Sequence, residues 1–600
     1  MDILLSMFLS KNFTPLIAMI KLALRIAPGL FTLIFLLNIL ASIIPAGLIY
    51  IGKAILDHLI AAVSNPVKSR IQILLLWIAA ECVLRFVQII LSRMTLLYNQ
   101  RFSNRLQYQI QQDFLSACAR EPYHHFEDAA FYQKLQMMIN RVFYGASGYL
   151  LQWITWFRSI MQLFSVLVLL VHINLVFLFV IVTLNIFSFW SNCKRIQRNF
   201  AKEDVLNKKQ RQISYLFQIL TSDIFLRDLK LFAAEIFFQK RYLHHYQNLQ
   251  EQRQALLRKD QQHSNGLEVL TTLSYYAFYI YIVFGVLHKK LTVGDISLYQ
   301  RAYTALDGGI HNFLSGFSSL YENNLYFEQY FAFIACKKST DTRQILAGTL
   351  NKLSVRNLNF TYPQAKLPTL QNINLELKAG EIIAIVGANG CGKTTLIKLL
   401  SGLYPVTAGA IQVQDKDLTT LDLASYQKRL GVIFQDFNRY ALSFKDNLIC
   451  AQTEYAEDTQ RLLQAIQTAQ LQDVLEKMAQ GLETILAQSY EHGQQPSSGE
   501  WQKIALTRLL FRNPDLIVLD EALANLDNDH RNYFVHLLRT FAKQQKKMII
   551  FIGHQLPCLQ FVDKIYVMDQ GRIVEEGPHD ILLAHQGRYY HLWLKDQSLE

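Results

Sequence analysis

The sequence predicts an α-helical membrane domain followed by a cytoplasmic α/β domain. Two observations carry this prediction. Six long apolar stretches occupy the first 335 residues, and from about residue 349 the pattern changes to alternating strands and helices. The composition agrees, because 51% of the residues are apolar and only 18% are charged, a balance typical of a protein that lies partly in a membrane.

The six apolar stretches are each close to the roughly 20 residues that a helix needs to cross a bilayer. They cover residues 28–51, 72–95, 146–170, 173–192, 266–288 and 296–320, and the sixth carries Arg301, Asp307 and His311. We therefore expect a membrane domain of six transmembrane helices at 28–335. Residues 1–27 have too short an apolar core for a secretory signal and are predicted to form an amphipathic segment on the membrane surface.

The distribution of positive charge predicts the orientation of the spans. Residues 97–145 hold five Lys and Arg residues and residues 191–263 hold fourteen, whereas the other connections carry few. By the positive-inside rule both long loops are cytoplasmic, which places both termini on the cytoplasmic side of the membrane. The same rule accounts for the net charge of +12 without nucleic acid as a partner. Apolar residues at helical spacing predict that the spans continue as helices into the cytoplasm.

Two short acidic and aromatic segments of these loops, residues 126–132 and 230–238, are expected where a helical hairpin would turn. Either could contact the α/β domain, and ordinary turn packing is the alternative interpretation. A polar stretch within residues 336–348 then forms a linker to the second domain at 349–600.

The second domain contains a phosphate-binding loop, Gly387–Thr395, which fits the pattern G-x-x-x-x-G-K-[ST] between an apolar strand and a helix. Glycines let the backbone wrap a phosphate, and the helix start directs free N–H groups at the same anion. This predicts a P-loop NTPase fold. The expected nucleotide-binding residues of the loop are Gly387, Asn389, Gly390, Cys391, Gly392, Lys393, Thr394 and Thr395. Lys393 would neutralise the β/γ-phosphates, and the Thr394 hydroxyl would bind Mg²⁺.

Further polar residues follow apolar strands of the same domain, where open α/β sheets place ligands. Asp520 and Glu521 end the run Leu516–Leu519 and suit a Mg²⁺ contact and a base for the attacking water. Gln435 could reach both Mg²⁺ and the water, and His554 is a candidate γ-phosphate contact. Tyr362, on a turn ahead of the loop, could stack on an adenine ring.

Together these motifs resemble the nucleotide-binding domain of ABC transporters, and the six spans resemble the exporter-type membrane domain. The resemblance implies ATP hydrolysis with Mg²⁺, with catalytic roles for Lys393, Gln435, Glu521 and His554 and metal contacts from Thr394, Gln435 and Asp520. It also matches Asp527 to the loop that communicates across a dimer, and the two cytoplasmic segments to the coupling helices. The amino-acid sequence of residues 434–440 and 498–503 is most similar to that of bacterial exporters of lantibiotics and bacteriocins.

The family's signature, Leu-Ser-Gly-Gly-Gln/Glu, is represented by residues 496–500. Ser497, Gly499 and Glu500 fit and are expected to bind the nucleotide of a partner subunit, whereas Pro496 and Ser498 depart. One membrane domain and one nucleotide domain make a half-transporter, so the resemblance implies a dimer. A homodimer that exports a peptide is the favoured interpretation. Export of a lipid or hydrophobic small molecule, or a role as the weakly hydrolysing half of a heterodimer, stays open.

Overall fold

The structure is a computed structural model that describes residues 14–64, 66–170, 179, 183, 186–187, 206, 209–335, 343–363, 365–524, 526–553 and 556–597. The chain divides into two compact units. The first comprises residues 1–121 and 129–337, and the second comprises residues 122–128 and 338–600.

The first unit is built from long helices. Their bounds are Thr14–Ile26 (α1), Pro28–Ser64 (α2), Lys68–Cys118 (α3), Ala129–Met138 (α5), Tyr144–Leu170 (α6), Asp223–Leu231 (α7), Glu235–Leu287 (α8) and Val293–Ala335 (α9), while the four-residue helix Tyr123–Phe126 (α4) belongs to the second unit. A π-helical turn at Ile139–Phe143 joins α5 to α6. The predicted extension of the spans as helices is confirmed, since α3 and α8 run for 51 and 53 residues.

Within the described residues, three helical segments are apolar and long enough to cross a membrane, namely Pro28–Ser64, Lys68–Cys118 and Val269–Leu287. They coincide with the first, second and fifth predicted spans. The third and sixth predicted spans fall on α6 and α9. The fourth, at 173–192, lies almost wholly outside the described residues. The number of six spans therefore stays a prediction.

Polar side chains connect α6 to α9 across a largely apolar contact. The Tyr149 hydroxyl donates to Asn324 Oδ1 at 2.9 Å, and both residues are buried. The Trp156 indole N–H donates to the Phe313 carbonyl at 2.9 Å. Buried polar groups need such partners, because an unpaired one costs free energy. These bonds fix the register of the two helices.

The second unit contains two sheets. The strands are Lys352–Phe360 (β1), Leu370–Lys378 (β2), Ile382–Gly387 (β3), Ala408–Val413 (β4), Lys416–Asp417 (β5), Leu430–Ile433 (β6), Leu516–Asp520 (β7), Met548–Ile552 (β8), Lys564–Asp569 (β9) and Arg572–Gly577 (β10). An antiparallel sheet has the order β2-β1-β4-β5, and a six-stranded sheet has the order β10-β9-β3-β8-β7-β6. In the larger sheet only β10 is antiparallel.

Helices cover the larger sheet. They are Lys393–Leu400 (α10), Leu423–Gln427 (α11), Phe444–Ile449 (α12), Thr459–Thr468 (α13), Gln472–Glu476 (α14), Ser498–Arg512 (α15), Asn528–Gln545 (α16), His579–Ala584 (α17) and Arg588–Gln597 (α18). All six residues of β3 are buried, with Ile382, Ala384 and Val386 in one apolar core and Ile383 and Ile385 in the other. Alternate side chains of a strand point to opposite faces, so β3 joins two cores. The predicted α/β fold is confirmed.

Candidate functional site

The phosphate-binding loop connects β3 to α10, as the sequence predicts. Gly392 adopts φ +108°, and a Cβ there would lie 2.7 Å from Leu370 Cδ2, so only glycine fits this turn without strain. The Lys393 side chain is buried against the loop, and its Nζ donates to the carbonyls of Gly387 at 2.8 Å and Ala388 at 3.1 Å. The loop backbone therefore holds the ammonium group beside the start of α10.

The other predicted residues of the loop differ in exposure. Asn389 and Gly390 are exposed, whereas Cys391 and Thr395 are buried. The Tyr362 hydroxyl is 3.1 Å from the Thr395 hydroxyl, which ties the predicted adenine-stacking aromatic to the first turn of α10. The Tyr362 ring also packs edge-on against Phe360 and Tyr404, with centroid distances of 5.0 and 5.3 Å.

Two carboxylates lie where β7 ends. Asp520 is 4% exposed and accepts a hydrogen bond from the Thr394 hydroxyl at 3.4 Å. Burial, followed by the charge of the adjacent Glu521, raises the pKa of Asp520 to about 6. Glu521 adopts φ +51°, which a non-glycine residue rarely does, and its N–H donates to the Ile552 carbonyl at 2.9 Å. Strain of this kind is concentrated at functional sites.

Gln435 follows the neighbouring strand β6, and its Nε2 donates to Glu521 Oε2 at 2.6 Å. The structure thus brings together Thr394, Gln435, Asp520 and Glu521, which the sequence places up to 127 positions apart. They meet because β3, β6 and β7 are parallel and their carboxyl ends share one edge of the sheet. His554, two positions beyond the end of β8, lies outside the described residues.

The signature segment forms a helix start. Ser497 caps α15 through a capping box, in which the Glu500 N–H donates to Ser497 Oγ at 3.3 Å and the Ser497 N–H donates to Glu500 Oε2 at 2.8 Å. Pro496 is buried just before the cap, and Ser498 and Gly499 are the first residues of the helix. The Ser498 hydroxyl accepts a hydrogen bond from Arg439 at 3.4 Å. Pro496 and Ser498, which depart from the family's signature, therefore leave the N-terminus of α15 intact.

The first cytoplasmic segment is divided between the units, since residues 126–128 belong to the second unit and residues 129–132 to the first. Glu127 accepts hydrogen bonds from Lys398 Nζ at 2.9 Å, from the Tyr123 hydroxyl at 2.7 Å and from the Tyr404 hydroxyl. Burial alone would raise the pKa of Glu127, but these three donors outweigh it and hold that pKa below its usual value. The sequence did not identify Lys398 and Tyr404, although Lys398 lies one helical turn beyond Thr394.

The second segment belongs to the first unit. It turns between α7 and α8, where the Lys230 ammonium pairs with Glu235 at 2.9 Å. Leu231 and Phe232 on this turn are 76% and 74% exposed, so the turn presents an apolar tip.

Comparison with known proteins agrees with this site. Residues 370–524 match the family described as ABC transporter. The subtilin transport ATP-binding protein of Bacillus subtilis is 27% identical over 94% of this chain and 91% of its own length. The nisin transport ATP-binding protein of Lactococcus lactis subsp. lactis is 29% identical over 65% of each chain. Fungal ABC multidrug transporters match over only 242–254 residues, 18% of their length.

A solved structure described as a bacterial Atm1-family ABC exporter with ATP bound has the same fold. It superposes with a TM-score of 0.82 at 20% identity, over 95% of this chain and 98% of that one. The fold and the loop define an ATP-binding ATPase fused to a helical membrane domain. Residues 370–524 therefore form an ABC transporter ATP-binding domain, and the chain as a whole is similar to ATP-driven exporters in sequence and in fold.

Proposed function

We propose that this chain exports a peptide across a bacterial inner membrane, and that it does so as a homodimer. The proposal that the substrate is a peptide rests on the extent of the similarity to the subtilin transport protein. This similarity includes both the helical and the nucleotide-binding part of the chain. The multidrug transporters match over at most 42% of the chain. Substrates contact the membrane part of an exporter, so the longer likeness is the more informative about substrate.

The aromatic residues of the fifth predicted span support this proposal in part. Phe278 is buried in a core with Tyr303, and Tyr275 accepts a hydrogen bond from Gln300 at 2.6 Å, so both are committed to packing. Tyr276 and Tyr281 are 57% and 46% exposed and keep an aromatic face for contact with an amphipathic substrate.

For hydrolysis we assign the roles by position. Lys393 would contact the β- and γ-phosphates, and its ammonium group would leave the loop carbonyls for the more basic phosphate oxygens. Glu521 would accept the proton of the attacking water, and Gln435, already hydrogen-bonded to it, would orient that water. His554 would contact the γ-phosphate. Tyr362 would stack on the adenine.

The residues present fit Mg²⁺. The Thr394 hydroxyl and the Asp520 carboxylate are hard oxygen donors within 3.4 Å of each other, and Gln435 adds a third oxygen at the same edge. A bound magnesium ion would neutralise charge on the phosphates. Burial and the charge of Glu521 raise the pKa of Asp520, and the hydrogen bond from Thr394 and the charge of Lys393 offset this only in part.

The signature segment supports the proposed dimer. A capped helix N-terminus directs free N–H groups and a partial positive charge outward, which suits a γ-phosphate held by the partner subunit. Ser497, Gly499 and Glu500 would form this contact. In a homodimer both sites carry the same Pro496 and Ser498, so both hydrolyse at the same rate. We propose that the nucleotide domain and both termini are cytoplasmic, in agreement with the basic loops at 97–145 and 191–263.

The test is substrate-stimulated ATPase activity of the purified chain in lipid nanodiscs. We expect amphipathic peptides to raise the rate, and hydrophobic dyes and added lipids to leave it unchanged. Stimulation by dyes or lipids alone would contradict a peptide substrate and would support export of a lipid or small molecule. Glu521→Gln is the control that separates hydrolysis by this chain from contamination.

A further inference from the structure

A histidine connects the signature helix to the loop that precedes α16. His530 Nε2 is 2.7 Å from the Lys503 ammonium of α15, and His530 Nδ1 is 2.8 Å from both carboxylate oxygens of Asp527. The His530 backbone N–H also donates to Asp527 Oδ1 at 2.9 Å, because Asp527 caps α16. The three side chains form a continuous chain from one helix to the next.

The chemistry of the donors fixes the proton on the ring. An ammonium group has three donors and no acceptor, so His530 Nε2 must accept from Lys503 and carries no proton. His530 Nδ1 then carries the proton and donates to Asp527. The imidazole bridges a cation and an anion only in its neutral form. The hydrogen bonds from the His530 backbone and ring hold the pKa of Asp527 below its usual value, so Asp527 remains an anion.

We propose that Lys503, His530 and Asp527 form a proton-sensitive link that positions the signature helix relative to the Asp527 loop, and that acidification releases it. The proposal rests on the proposed dimer, in which both elements act on the nucleotide of the partner subunit. These are positioning residues, because they act through Ser497 and the loop and touch no reacting atom.

The release follows from charge. A second proton on the ring removes the acceptor that Lys503 uses among the described residues and places two cations within 2.7 Å. The bond from His530 to Asp527 persists as an ion pair, so Lys503 alone is freed. Histidine is the side-chain type that changes charge between about pH 5 and 8. Among the described residues, Lys503 from α15 and Asp527 from its own loop are the charged groups within hydrogen-bond distance of the ring.

The experiment compares the ratio of the ATPase rate at pH 7.5 to that at pH 6.0 for the full-length chain in nanodiscs. The variants are His530→Gln, whose amide does not titrate, and Lys503→Met, which removes the cation. The matched control is His536→Gln, because His536 lies on the same helix and is exposed, and its ring makes no hydrogen bond within the described part of the chain. Nucleotide binding of each variant shows that it is folded.

We expect the ratio in the wild type and in His536→Gln to exceed that in the other two variants by about threefold, because a half-exposed, charge-assisted link contributes less than a buried one. The double variant should show no further change in the ratio, because each single substitution already removes the same interaction between Lys503 and His530. An equal ratio in the wild type and His530→Gln overturns the proposal. If neither the wild type nor any variant hydrolyses ATP at either pH, the result contradicts the proposed homodimeric ATPase. This outcome is distinct from an equal ratio in active proteins, which overturns the proposed link alone.

Discussion

Replacing Asp520 with Asn should stabilise the nucleotide-free chain while abolishing its Mg²⁺-dependent hydrolysis. Asp520 is 4% exposed, and its pKa is about 6 instead of the ordinary 3.8. At 1.36 kcal/mol per pKa unit, ionising this carboxyl in the folded state costs about 3 kcal/mol. Asn removes the charge and can still accept the hydrogen bond from Thr394.

The raised pKa of Asp520 also determines how the stability gained by Asp520→Asn depends on pH. A carboxyl with a raised pKa in the folded state destabilises that state as pH rises from about 4 to about 6, and the full cost is present above pH 6. The gain from Asp520→Asn should therefore be full at pH 8, slightly smaller at pH 6 and about a third of its full size at pH 4.5. Thermal unfolding of the nucleotide domain, in EDTA and without nucleotide, measures it.

Asp563→Asn is the matched control. The Asp563 carboxylate accepts from the Ile382 N–H at 2.8 Å and from Lys543 at 2.8 and 3.0 Å, so the same chemical change should lower the unfolding temperature. An Asp520→Asn protein that unfolds at or below the wild-type temperature at pH 8 would refute the reasoning.

Three further changes test other contacts. Glu127→Gln weakens the bonds from Lys398 and Tyr404 and should abolish peptide stimulation while basal hydrolysis persists; unchanged stimulation would argue against a coupling role. Gly294→Ala should lower thermal stability by about 1–3 kcal/mol, since its Cβ would lie 2.4 Å from Asp57 Oδ1, whereas Gly308→Ala, with open space, is the control. Alkylation of Cys391 should block ATP binding, slowly at neutral pH because burial raises the pKa of its thiol; lack of protection by ATP would contradict this.

Much of the nucleotide site could be predicted from sequence because its motifs are local. The phosphate loop needs glycines at fixed positions between a strand and a helix, and the acids at the end of β7 follow four apolar residues. The parallel sheet then brings these ends together. His554 follows the same logic, but it lies outside the described residues and its role stays a prediction.

Contacts between distant side chains could not be predicted in this way. The link from Lys503 to His530 spans 27 positions, and the bonds of Glu127 to Lys398 and Tyr404 span more than 270. No periodicity or motif marks such pairs. The packing of Phe278 and Tyr275 against α9 was likewise invisible, because helical spacing shows which residues share a face but not what covers that face.

The measurement that tests the account most directly is the ATPase rate of the chain expressed and purified alone in nanodiscs, beside Glu521→Gln. We predict a Mg²⁺-dependent rate that the substitution abolishes while ATP binding persists, because Glu521 at the strained end of β7 is the proposed base. A flat trace in both proteins with ATP still bound would contradict a self-sufficient homodimer and indicate that hydrolysis requires a second, different subunit.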